Sequence, residues 1–160
     1  KPWKGVQMSD EYRLISIPDT RFYHCNIKTL NLIPNVMAAQ QASESGCNET
    51  VFVRDGYVTE CSHSNISMVK DGVFITHPLD NLILPGTERK HIIRWCGELG
   101  IPVEERAFTL EELYTADEIL VTSTSHPSMR AMELNQKAVG MKNPELIQKL
   151  RDKYFSEIGK

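Results

Sequence analysis

Hydrophobic and polar residues alternate early in the chain, and the alternation predicts strands. Tyr12–Ile17 reads as one that stops at Pro18, and Phe22–Ile27 as a second that feeds into Lys28. The period then lengthens. Ile33–Ser45 carries Val36, Met37, Gln40 and Gln41 at helical spacing, with Pro34 in the first turn and Gly46 at the stop. Two Asp-Gly pairs follow. Asp55-Gly56 separates Thr50–Arg54 from Tyr57–Glu60, and Asp71-Gly72 separates Asn65–Lys70 from Val73–Thr76. Asp-Gly accepts the positive φ angles of the tight turn whose twist matches paired strands, so both predict hairpins.

Farther on, Glu88–Leu99 places Ile92, Ile93, Cys96 and Leu99 on one helical face and ends at Gly100. Pro102–Phe108 predicts a strand. Thr109-Leu110-Glu111-Glu112 has the pattern of a capping box and predicts a short helix. Glu118–Thr122 reads as a buried strand, and Met129–Glu133 with Lys137–Val139 as a hairpin around Asn135. Asn143–Ile158 predicts a terminal amphipathic helix with Leu146, Leu150, Tyr154 and Ile158 along one side. No internal repeat, low-complexity tract or linker interrupts the order. Hairpins interleaved with helices imply a mixed α/β (α+β) fold with an antiparallel-rich sheet, not a parallel doubly wound one.

Composition narrows the class. The chain has 160 residues, 41% hydrophobic and 24% charged, which suits one domain with a real core. A net charge of -3 and a pI near 6.0 give no general pull toward nucleic acid or anionic membrane, so neither is expected as a partner. No apolar run approaches the roughly 20 residues of a spanning helix. The opening Lys1-Pro2-Trp3-Lys4 has neither a signal-peptide pattern nor an initiator Met, which hints at a processed chain or a piece of a longer one. Cys25, Cys47, Cys61 and Cys96 show no zinc spacing and no disulfide-scaffold density, favouring a reducing, cytoplasmic setting.

Four segments carry candidate chemistry. Lys28 lies in an apolar frame between Ile27 and Leu30. Alone it reads as a surface lysine whose stem covers Leu30, but a buried amine can form an imine with an aldehyde cofactor and move protons. Glu60 ends a hairpin strand before Ser62, Ser64 and Asn65. It is either an edge charge facing water or an acid that keeps a pyridine nitrogen protonated. Gly86-Thr87-Glu88 opens a helix whose free N–H groups form an anion site, and Thr122, Ser123 and Thr124 could add hydroxyl donors. Singly, each of these is an ordinary cap or turn. Together they supply an amine, an acid and phosphate donors, the set that pyridoxal phosphate requires. His63 and His126 read as loop histidines, without the helical i, i+4 pairing of a metal site.

The same segments resemble a known family, the class IV, fold-type IV pyridoxal-phosphate aminotransferases, and within it the D-amino acid (D-alanine) aminotransferases. The resemblance rests on Asp19-Thr20-Arg21, Cys25-Asn26-Ile27-Lys28-Thr29-Leu30-Asn31-Leu32, Val58-Thr59-Glu60 with Ser62 and Ser64-Asn65, and Lys70-Asp71-Gly72 with Thr76-His77-Pro78. It continues through Leu84-Pro85-Gly86 with Arg89, and Ala116-Asp117-Glu118 with Val121-Thr122-Ser123-Thr124, in unbroken order. It implies a large domain with a pseudo-barrel sheet and surrounding helices. Lys28 would be the Schiff-base lysine that moves the proton and Glu60 the partner of the pyridine nitrogen. Leu84 would pack against the ring, and Arg21 would lie near the lysine. The backbone N–H groups of Thr87 and Glu88, with Ser123 and Thr124, would hold the phosphate. It also implies a homodimer acting on an amino acid and a 2-oxo acid.

Four positions depart from the family pattern. Glu88 stands where threonine is usual, Cys61 where glycine is, His63 where a small serine is common, and Arg130 where proline is frequent. Family members also resemble a two-domain chain. Here residues 1–18 read as a lead-in from an absent small domain plus the first strand, and 19–160 as the cofactor-binding large domain. The expected reaction is transamination between a D-amino acid and a 2-oxo acid. The 4-amino-4-deoxychorismate lyase or branched-chain aminotransferase activity of the same fold is the alternative. A non-catalytic cofactor-binding or dimerising module is a further one.

Overall fold

The computed structural model describes residues 7–157. Nine strands form one sheet, curled into a half-barrel with helices around it. In chain order the elements are β1 (Met8–Pro18), α1 (Ile33–Glu44), β2 (Glu49–Arg54), β3 (Tyr57–Cys61), β4 (Asn65–Lys70) and β5 (Val73–Thr76). Then come α2 (Thr87–Glu98), β6 (Val103–Glu105), α3 (Leu110–Thr115), β7 (Glu118–Ser123), β8 (His126–Leu134), β9 (Lys137–Ala138) and α4 (Pro144–Glu157). Spatially the strands run β3-β2-β1-β8-β7-β4-β5-β6, with β9 on β8. β1 lies parallel to both β2 and β8, and β5 parallel to β6; the other pairs are antiparallel.

Local chemistry accounts for the turns. Asp55 and Gly56 have φ of 51° and 85°, and Asp71 and Gly72 of 51° and 79°, the paired positive values that a two-residue hairpin loop requires. Both capping-box bonds of α3 form: Glu112 N–H donates to Thr109 Oγ1 at 3.2 Å, and Thr109 N–H to Glu112 Oε2 at 2.8 Å. Asn135 and Gln136 turn β8 into β9 with φ of 50° and 63°.

Both faces of the sheet are buried, which is why β7 reads as a continuous apolar run. Ile119 and Val121 join one cluster with Leu14, Val58, Met68 and Phe108. Leu120, between them, points to the other face and meets Ile92, Trp95, Ile147 and Tyr154 beneath α2 and α4. Ile158, expected on the apolar side of the last helix, lies outside the described residues.

Three expectations change. Phe22–Ile27 is not a strand but a turn-rich loop. A strand needs a neighbouring edge, and what reaches this segment is a single residue, Asn81, whose O accepts from Cys25 N–H at 2.9 Å and whose Nδ2 donates to Tyr23 O at 2.7 Å. Of Pro102–Phe108 only Val103–Glu105 pairs, against β5. In α1 the face against the sheet is Ala38 and Ala42, while Val36 and Met37 stand exposed. Thr50 anchors that face by donating from Oγ1 to Ala38 O at 2.7 Å.

Candidate active site

The end of β3 places Glu60 in a buried position, 6% exposed. Three donors reach its carboxylate. Arg21 Nη1 bonds Oε1 at 2.5 Å, while Asn65 Nδ2 and the backbone N–H of Leu84 bond Oε2 at 3.0 and 2.9 Å. A carboxylate has about four acceptor positions, so one on Oε1 remains open. Arg21, Glu60 and Leu84, picked out separately in the sequence, are thus one bonded cluster.

Asn65 joins this cluster to the two segments that the sequence offered as anion sites. It donates to Leu84 O at 2.9 Å, on the approach to α2. A Cβ on Gly86 would overlap its Oδ1, so glycine is required there for space, since φ is an ordinary -66°. Gly86 is the N-cap of α2 and no side chain caps the helix, so its first N–H groups face outward with the positive end of the macrodipole. On the other side Asn65 pairs across the sheet with Thr122, directly before Ser123 and Thr124. Ser123 and Thr124 line a cavity of about 440 Å³ with Tyr12, Glu49, His63 and His126. A second hollow of about 250 Å³ opens beside Gly86, Arg89 and Lys90. Asn65 thus links the two segments, through its bond to Leu84 O before the helix and its pairing with Thr122 before the hydroxyls.

Lys28 is exposed, on the loop between Arg21 and α1. Each end of that loop is tied to the end of β3: Arg21 to Glu60, and Asn35 by donating from Nδ2 to Ser62 O at 2.8 Å. The lysine therefore rides on a span anchored on either side of Cys61.

Sequence reasoning passed over Glu49, which is 2% exposed. It accepts from His63 N–H at 2.5 Å, Ser64 Oγ at 2.9 Å, Ser62 Oγ at 3.4 Å and Tyr12 Oη at 3.5 Å. One buried carboxylate thereby shapes the Ser62–Ser64 turn beside the acid. The signal available was a carboxylate opening an otherwise apolar strand. Asp19 and Arg54, also buried, were passed over as well. Asp19 sits in a quoted motif, whereas Arg54 carries no local mark.

Burial pushes the Glu60 carboxyl up to about 7, against the downward pull of Arg21 and the Leu84 N–H. The folded chain thus keeps the Glu60 proton at pH values where the unfolded chain has released it. Stability contributed by this group is full below the ordinary carboxylate range and is lost as pH rises toward 7. The melting temperature of the cofactor-free chain is expected to fall between pH 5 and 7.5 by about 5 °C more than that of Glu60→Gln, measured by calorimetry. Equal slopes would show that Glu60 titrates as it does in the unfolded chain.

Residues 3–134 match the model of the amino-transferase class IV family. The chain belongs to that family. A D-alanine aminotransferase of Listeria monocytogenes is 42% identical over 147 residues, covering 91% of this chain and 50% of its own length. One of Bacillus licheniformis is 37% identical over 151 residues, covering 91% and 53%. Among solved structures, a provisionally assigned 4-amino-4-deoxychorismate lyase of Legionella pneumophila superposes with a TM-score of 0.84 at 25% identity, covering 92% of this chain and 56% of that one. The chain spans about half the length of the curated relatives it matches.

Class IV aminotransferases depend on pyridoxal phosphate, and the residues of this member fit it. Glu60 keeps one acceptor position open, and the start of α2 is left uncapped beside a glycine that admits no Cβ. The departures from the family pattern are accommodated. Glu88 is 6% exposed and shares its helical face with Ile92 and Trp95, which pack with Leu150 and Tyr154 of α4. Its side chain therefore faces the packing between α2 and α4, and its Oε2 has no partner among the described residues. Burial raises its pKa, favouring the neutral acid. Cys61 is buried in the core and His63 is exposed at the turn. Arg130 pairs with Glu118 at 2.7 Å.

Proposed function

We propose that this chain is the cofactor-binding large-domain portion of an aminotransferase that exchanges the amino group of a D-amino acid with a 2-oxo acid. On this reading residues 19–160 form the domain and 1–18 lead into it. The observation that carries the reading is the buried Glu60 cluster, with three donors on the acid and one acceptor position open. Asn65 ties that cluster to an uncapped helix start and a hydroxyl turn. The D-alanine aminotransferases that match 91% of the chain support the substrate class.

When bound, the cofactor supplies a conjugated ring that accepts the electron pair left as a Cα proton departs. Glu60 would hold a proton at the ring nitrogen, and Leu84 would lie against the ring. The N–H groups of Thr87 and Glu88, with the hydroxyls of Thr124 and Ser123, would hold the phosphate. Arg21 orients Glu60. Lys28 would be the residue that holds the cofactor covalently, and its free amine would carry the proton from the substrate Cα. The protein acts as a cytoplasmic homodimer. Four cysteines without a disulfide suit a reducing compartment, and no helix among the described residues is long and apolar enough to cross a membrane.

Borohydride reduction in the presence of pyridoxal phosphate, followed by peptide mapping, tests the assignment. The label is expected on the peptide containing Lys28. A label on another lysine, or none at saturating cofactor, rejects it. The Legionella structure favours lyase activity as a second reading. Release of pyruvate from 4-amino-4-deoxychorismate without any 2-oxo acid would select it, and exchange between D-alanine and a 2-oxo acid would exclude it.

A further inference from the structure

A buried file of alternating charge stands behind Glu60. Arg54 Nη2 lies 3.1 Å from Asp19 Oδ1. Asp19 accepts Arg21 Nε and Nη2, each at 2.9 Å, and Arg21 Nη1 reaches Glu60 Oε1 at 2.5 Å. These four side chains are at most 9% exposed. Phe52 lies 4.3 Å from the Arg21 guanidinium and Tyr23 4.5 Å from that of Arg54, sealing the file from water. Thr59 Oγ1 donates to Asp19 Oδ2 at 3.0 Å, fixing the middle of the row. Screening is weak in such a place, so each charge is felt by the next.

Arg21 is the only cation bonded to Glu60 among the described residues, and two of its three guanidinium nitrogens are already held by Asp19. Its charge is therefore shared between two acids. Arg54 competes for one of them from the far side. Only one of its side-chain nitrogens is engaged, since Nε and Nη1 have no partner among the described residues. We propose that Asp19 and Arg54 are positioning residues that set the proton affinity of Glu60 through Arg21, with opposite signs. Neutralising Asp19 leaves Arg21 to Glu60 alone and lowers that affinity. Neutralising Arg54 leaves Asp19 to draw on Arg21 alone and raises it.

The other groups facing Glu60 do not supply this alternation. Asn65 and the Leu84 N–H are neutral donors. The Cys25 and Cys61 thiols are both pushed up by burial and stay uncharged near neutral pH. The inference rests on the proposed function only for its consequence, that the file sets how tightly Glu60 holds a protonated ring nitrogen.

The test is a ¹³C-carboxyl NMR titration of the cofactor-free chain, with Glu60→Gln used to identify the signal. The Glu60 midpoint is expected to fall by about one unit in Asp19→Asn and to rise by roughly half a unit in Arg54→Gln. Arg54→Lys, which keeps the charge, is expected to leave it in place. Shifts of the same sign in Asp19→Asn and Arg54→Gln, or no shift in either, overturn the proposal. If Asp19→Asn does not fold by circular dichroism, the contrast between Arg54→Gln and Arg54→Lys decides. Binding of pyridoxal phosphate is then compared with that of its analogue carrying CH in place of the ring nitrogen. Asp19→Asn is expected to reduce the preference for pyridoxal phosphate by about tenfold. Should the midpoints move as stated while that preference does not, the file stands and the pairing of Glu60 with the ring nitrogen falls.

Discussion

Alanine in place of Lys28 is expected to lower amino-group transfer by about 10³-fold, the usual contribution of a positioned proton carrier. It should also abolish the borohydride label. The fold should be unaffected, because Lys28 is exposed on its loop and such substitutions usually change stability by less than about 0.5 kcal/mol. An unchanged melting temperature with lost transfer therefore separates a chemical role from a structural one. Added ethylamine should restore part of the rate by replacing the missing amine in proton transfer. Retention of more than about a tenth of the activity would move the proton-carrying role to another residue.

Alanine in place of Glu118 is expected to cost about 3–5 kcal/mol of stability, because it strands a buried guanidinium. The Glu118 side chain is 0% exposed and that of Arg130 5%. Arg130 donates through Nε and Nη2 to the two carboxylate oxygens at 3.0 and 2.7 Å. Oε1 also accepts the backbone N–H of Asn143 at 2.6 Å, at the entry to α4. Arg130 reaches on to Asp10 at 3.3 Å, and Asp10 holds Arg151 of α4 at 2.6 Å. One carboxylate thus closes a network across β1, β7, β8 and α4. The melting temperature should drop by roughly 10 °C. The double variant Glu118→Leu with Arg130→Met, which removes both charges together, should recover most of that loss. A double variant as unstable as the single one would show that the network, and not the stranded charge, sets the cost.

Much of the architecture was legible because its determinants are local. Each Asp-Gly hairpin closes within a few residues, through the positive φ that its own turn needs. The capping box of α3 is a bond between Thr109 and Glu112, and Gly100 ends α2 with a φ of +70° that other residues adopt at a cost. The candidate site was proposed from residue types alone. Lys28, Glu60, the start of α2 and the hydroxyls at 123–124 were recognisable by kind and order before any contact was known.

Only the tertiary structure decided which side chains bond to one another. Parallel pairing leaves no turn to read, so the place of β1 between β2 and β8 has no local signature. Phe22–Ile27 has the residues of a strand but meets no edge that would accept one. Glu88, which stands where the family usually has threonine, faces inward because its position repeats that of Ile92 and Trp95. The file from Arg54 through Asp19 and Arg21 to Glu60 joins residues up to 41 positions apart in sequence. Its effect depends on exclusion of water by Phe52 and Tyr23, a property of packing and not of any segment. The sequence by itself determined the turns, the helix ends and the chemical kinds present. Which charges share a buried space was decided by the fold, because the strength of their coupling is set by distance and dielectric, and neither exists until the chain is closed.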